Sequence, residues 1–116
     1  MEIKIVKDTI PIKELKEMAS AGFGDFVKAV VDIEQEIMAI GSELHADGEV
    51  FLMEQENSRP EAAWGINIYP EKSRDERIEF SSMINLKPSL GNRSRGVENS
   101  EIREKIKAIV QKLVIE

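Results

Sequence analysis

Hydrophobic positions along the chain keep two rhythms, and their order predicts the fold. Residues 2–6, EIKIV, alternate as a strand does. DTIPIKELKEMASAGFG then takes a helical period, with Ile12, Leu15 and Ala19 on one face. Asp8 or Thr9 is placed to cap that helix, Pro11 suits its first turn, and Gly22 and Gly24 end it. FVKAVVDIE carries apolar residues at both parities, the mark of a central strand covered on both faces. QEIMAIG returns from it, which predicts a hairpin of residues 27–34 and 37–41 about Glu34–Glu36.

SELHADGEVFLMEQEN carries two signals. Asp47-Gly48 between apolar residues is a hairpin signature. Leu44, Phe51, Leu52 and Gln55, however, keep helical spacing among good helix formers. The balance predicts a helix, capped by Ser42 and weakened by about 1 kcal/mol at Gly48 relative to alanine.

AAWGINIYP predicts a strand with Trp64, Ile66 and Ile68 turned into the core. RIEFSSMINLKP alternates most cleanly, with Ile78, Phe80, Ile84 and Leu86 opposite Glu79, Ser81, Asn85 and Lys87. EKSRDE between these strands is a solvated turn. SEIREKIKAIVQKLVIE predicts an amphipathic helix with Ile102, Ile106, Ile109, Val110 and Leu113 on one stripe, capped by Asn99 or Ser100. The order β-α-β-β-α-β-β-α predicts one α+β domain over residues 1–116. Its expected architecture is a mostly antiparallel sheet with helices packed on one face, a ferredoxin-like core plus an added strand and C-terminal helix.

Composition narrows the chemistry. The 116 residues include 41% apolar positions, enough for a core without staples, and no cysteine. Disulfides, thiolate zinc sites and cysteine nucleophiles are thereby excluded. The first residues hold no apolar signal region, and no run approaches the roughly 18 apolar residues of a membrane span. A cytoplasmic protein without membrane contact is expected. A net charge of −6 disfavours nucleic acid as a partner.

FGDFVKAVVDIEQEIMAIGSELHAD, WGINIYPE, IEFSSMINLKPSLGNRSRGVE and IREKI together resemble a family of small uncharacterised prokaryotic proteins, a domain of unknown function. The resemblance spans about residues 10–114. It supports a helix after LHAD and implies no activity, cofactor or catalytic residue. In place of the family's glycine turn at the end of that helix, this chain has NSRPEAA.

PSLGNRSRGVENSEI is the most donor-rich stretch. Arginine forks match carboxylate or phosphate, glycine-bearing turns expose backbone N–H groups, and the last helix begins nearby. Glu98 and Glu101 stand beside the same helix end and compete with any anion there. Asn67 and Asn85 interrupt apolar strands where asparagine is disfavoured, and they are expected to share a polar face leading to this loop. The expected ligand site is therefore Asn67, Asn85, Ser89, Asn92, Arg93, Ser94 and Arg95, holding a small anionic molecule. The competing expectation is that the loop is simply pinned by its own acids.

Two other readings belong beside it. A protein-interaction or homodimer module would use the polar face or open edge of the sheet. A metal-assisted hydrolase would draw on His45, Asp47 and Glu49, which share one face if extended and separate on a helix. His45 is the only histidine, which excludes a two-histidine zinc motif within one chain. No cofactor is implied, and no P-loop or dinucleotide fingerprint occurs.

Overall fold

The computed structural model describes residues 2–116. Strand β1 (Lys4–Val6) is followed by the short β2 (Ile10–Pro11), α1 (Ile12–Ala21), β3 (Val27–Asp32) and β4 (Ile37–Ile40). Then come α2 (His45–Glu56), β5 (Ala63–Ile68), β6 (Ile78–Glu79), α3 (Ser100–Leu113) and β7 (Val114–Ile115). The main sheet has five strands in the order β1-β4-β3-β5-β6, and all its pairs are antiparallel. β2 and β7 form a separate parallel pair that ties the end of α3 to the start of α1. The α+β class and the element order broadly follow the expectation from sequence.

The layering differs from a ferredoxin-like core with helices on one face. Leu15 and Ala19 of α1 and Ile106, Ile109, Val110 and Leu113 of α3 pack with Ala29, Val31, Met38, Ile40, Trp64, Ile66 and Ile68. Leu52 of α2 packs on the opposite face, with Val30, Ile37, Ala39 and Ala63. The cause is the double-parity apolar pattern of β3 and β4. Every residue of β4 is buried, so each sheet face needs its own cover.

Helix α2 resolves the ambiguity at residues 43–55. Its mid-helix Gly48 has a packing reason: a Cβ there would stand 3.0 Å from Val30 Cγ2 and 3.2 Å from Ser42 Oγ. Glycine thus lets the helix lie close on β3, and this contact offsets its low propensity. Asn57 ends the helix at φ 56°, taking the left-handed position that glycine usually fills. Two expected caps are not made. Leu44 occupies the N-cap of α2 and Pro11 that of α1, neither with a side-chain cap bond.

The strand expected over residues 78–86 stops at Glu79. Ile78 and Phe80 pack on the α1–α3 side, whereas Ile84 packs on the α2 side. The parity breaks because Ser82 Oγ accepts the Ile84 N–H at 3.3 Å and starts a 3-10 turn, Met83–Asn85. Serine and asparagine side chains compete with ladder hydrogen bonds in this way.

Candidate functional site

The loop after that turn is organised by its own side chains. Asn85 is fully buried and lies against β5, where its Oδ1 accepts Gly65 N–H at 2.7 Å and its Nδ2 donates to Gly65 O at 2.9 Å. The carboxamide thus replaces a strand partner at the sheet edge. Its Nδ2 also donates to Arg95 O at 2.9 Å. Asn92 Nδ2 donates to Asn85 O at 2.7 Å and to Gly96 O at 2.8 Å, while its Oδ1 accepts Glu98 N–H at 2.8 Å. Both asparagines are therefore turned inward rather than lying on an open polar face.

The donor-rich turn is filled by an acid of the chain itself. Glu98 accepts the Arg93 backbone N–H at 2.7 Å. That bond, helped by Ser94, holds its carboxyl below the usual carboxylate range. The pinning works through backbone donors, and the Arg93 guanidinium is left exposed. Ser89 lies apart, exposed on the 3-10 turn Pro88–Leu90, where it lines another cleft with Glu49, Glu61 and Lys87. There burial raises the Glu49 carboxyl and lowers the Lys87 ammonium, the latter donating to Ile84 O at 2.9 Å.

Asn67 and Arg95 meet in a different cleft, of about 390 Å³, on the α2 face of the sheet. Its floor is built by strand register: Lys28 of β3 stands directly opposite Asn67 of β5. Its roof is the first turn of α2, with Leu44, His45 and Ala46, and its far wall is Ser81–Ile84 and Arg95. Gly65 allows this closure. A Cβ there would meet Ser82 Cβ and Oγ at 2.5 Å and His45 Cδ2 at 3.1 Å.

His45 is buried, and its Nε2 donates to Ile66 O at 2.8 Å, which fixes the tautomer because a carbonyl only accepts. Burial holds the imidazole below its usual range, partly offset by the Ile66 bond, and Lys28 lowers it further. Asn67 Nδ2 donates to Glu79 Oε1 at 2.8 Å, so the orientation of the amide is set. Its Oδ1 is buried without a donor.

The cleft is also electrically distinct. Its lining holds Lys28 and Arg95 and no carboxylate. Neither cation forms an ion pair among the described residues. Other clefts mix signs, as with Arg74, Asp75, Glu104 and Lys107, or Lys87 with Glu49 and Glu61. The start of α2 has no side-chain cap, although Asp47 in its first turn offsets part of its positive end.

His45, Asp47 and Glu49 do not converge. The helix turns His45 into the sheet, leaves Asp47 exposed and sends Glu49 to the Lys87 cleft. Among the described residues, no group of three or more metal-ligating His, Asp or Glu side chains forms.

Of the site expected from sequence, Asn67 and Arg95 line this cleft. Asn85 and Asn92 frame it from behind. Sequence reading missed Lys28 and His45 as its partners, because strand register and the placement of α2 bring them there. The strand assignment already carried one usable signal, since Lys28 and Asn67 are polar positions inside otherwise apolar strands. Among the described residues, no helix is long and apolar enough to cross a membrane.

The family model for a protein of unknown function (DUF5674) matches residues 4–113, and the chain belongs to that family. No curated protein and no solved structure matches it.

Proposed function

We propose that this member of the DUF5674 family is a cytoplasmic domain that binds a small anionic molecule in the cleft between Lys28, His45, Asn67 and Arg95. The observation that carries this reading is a pair of cations without carboxylate partners in a protein of net charge −6. An acidic protein has carboxylates to spare for neutralising two cations, so a carboxylate-free cleft suits an anion supplied from outside. Arg95 provides a fork for a carboxylate or phosphate oxygen pair, and Lys28 a point charge facing it. The uncapped start of α2 adds backbone donors, and Ser81 lines the entrance.

The test is an amide-resolved NMR titration with inorganic phosphate and with acetate. Saturable shifts at residues 28, 45–46, 67 and 95 are expected, abolished in Arg95→Gln and retained in Arg93→Gln. Shifts confined to residues 92–98, or none at all, would overturn the reading.

A further inference from the structure

The anion cleft opens onto a second cleft that shares Lys28 and Leu44 with it and continues along Ala21, Gly22 and Phe23. The joint rim is apolar and open to solvent: Phe23 is 46% exposed, Leu44 59% and Met83 62%. Val50, Met53, Leu86, Leu90 and Ile115 are exposed elsewhere, but these three border one pair of cations, where the apolar part of a ligand would cover them. Phe26 and Ile84 extend the same apolar lining toward the cations. Phe23 is stacked on Phe26, with ring centroids 4.9 Å apart.

We propose that the ligand is a carboxylate carrying an apolar tail, with its head between Lys28 and Arg95 and its tail along Leu44, Met83 and Phe23. This rests on the anion reading above and adds its substrate class. Two cations lining one small cleft suit a single head group better than a polyphosphate. The Lys28 ammonium lies over the Phe23 ring, 4.9 Å from its centroid, so it marks the junction of head and tail. The buried Asn67 Oδ1 also lies on this side, but as an acceptor it offers a carboxylate no hydrogen bond, so the head is held by Lys28 and Arg95. Glu43 is the one carboxylate along the tail path, and it is exposed.

Calorimetric titration of the whole chain with octanoate, acetate and octan-1-ol tests the proposal. Octanoate is expected to bind at least tenfold more tightly than acetate. Phe23→Ser, at an exposed position outside the lining of the anion cleft, is expected to bring octanoate toward the acetate level while acetate still binds. Equal affinity for octanoate and acetate, with Arg95→Gln abolishing both, would overturn the tail and leave the anion cleft standing. Octan-1-ol binding as tightly as octanoate, with Arg95→Gln indifferent, would overturn the head group and the anion reading with it.

Discussion

Asn85 grips Gly65 at both ends of one residue's backbone, its carboxamide accepting the Gly65 N–H at 2.7 Å and donating to the Gly65 carbonyl at 2.9 Å. This side chain stands on β5 where the β5–β6 pairing, which covers Asn67 and Ile68, has stopped, and it anchors the loop that carries Arg95. Asn85→Ala would leave buried Gly65 groups unpaired. Each unmet buried group costs about 1–3 kcal/mol, so a loss of about 3 kcal/mol is expected in chemical denaturation. Asn85→Asp is expected to be no better, because a carboxylate faces the Gly65 and Arg95 carbonyl oxygens. A loss below about 0.5 kcal/mol in either variant would refute the anchoring role.

Gly65 itself is constrained by the same arrangement. Ala at this position would place its Cβ 2.5 Å from Ser82 Cβ and Oγ. Overpacking of this kind costs about 1–3 kcal/mol. A double-mutant cycle with Ser82→Gly is expected to recover part of that loss. Strict additivity of the two changes would show that the contact is not the cause.

Asp32 is fully buried at the β3–β4 turn and holds four donors: Glu34 N–H at 2.9 Å, Gln35 N–H at 3.0 Å, Gln35 Nε2 at 2.9 Å and Ser58 Oγ at 2.7 Å. It therefore ties the hairpin to the end of α2. Asp32→Ala is expected to lower stability by about 3 kcal/mol through unmet buried donors, while Ser58→Ala costs about 1 kcal/mol. Thermal or urea unfolding of both variants measures the difference, and equal losses would contradict this ranking.

The environment of His45 predicts a pH dependence with a definite sign. Burial lowers its folded pKa, so below the ordinary imidazole value of about 6.5 the unfolded chain binds the extra proton. The stability it contributes is present above that value and is lost as pH falls through the folded pKa. Wild type minus His45→Gln, measured by urea unfolding between about pH 7.5 and pH 5, is expected to show a difference that shrinks with acidification. A difference independent of pH would exclude a buried neutral imidazole.

Anion binding is expected to run the other way. A negative head group between Lys28 and Arg95 removes part of what disfavours imidazolium, and protonation gives the ring a second N–H beside the unpartnered Asn67 Oδ1. Acetate affinity should therefore rise as pH falls from about 7.5 to 6, with acetate itself remaining ionised. His45→Gln should flatten the rise. Identical pH profiles in both proteins would place the coupling elsewhere.

Local rules were enough for the helices and the hairpin. The stripe of α3 and its Asn99 cap, whose Oδ1 accepts Glu101 N–H at 2.8 Å and Ile102 N–H at 3.1 Å, depend on residues a few positions apart. The double parity of β3 marked a strand covered on both faces, but the expected architecture still put the helices on one face, and only the structure placed α2 opposite α1 and α3. Asn67 stood out as a polar residue inside an apolar strand, and Arg95 as one of two arginines in a donor-rich, glycine-bearing loop.

Tertiary structure decided the rest. Alternation over residues 78–86 satisfies a strand pattern, but side chains of Ser82 and Asn85 supply backbone partners that a pattern does not register. Glu98 fills the loop that looked most suited to an outside anion, through a bond to Arg93 N–H that exists only once the turn is folded. The cleft that remains joins β3, α2, β5 and residue 95 across long stretches of chain. Register places Lys28 opposite Asn67, and the close approach at Gly65 brings in His45; neither relation has a local sequence code, because both depend on which faces pack together.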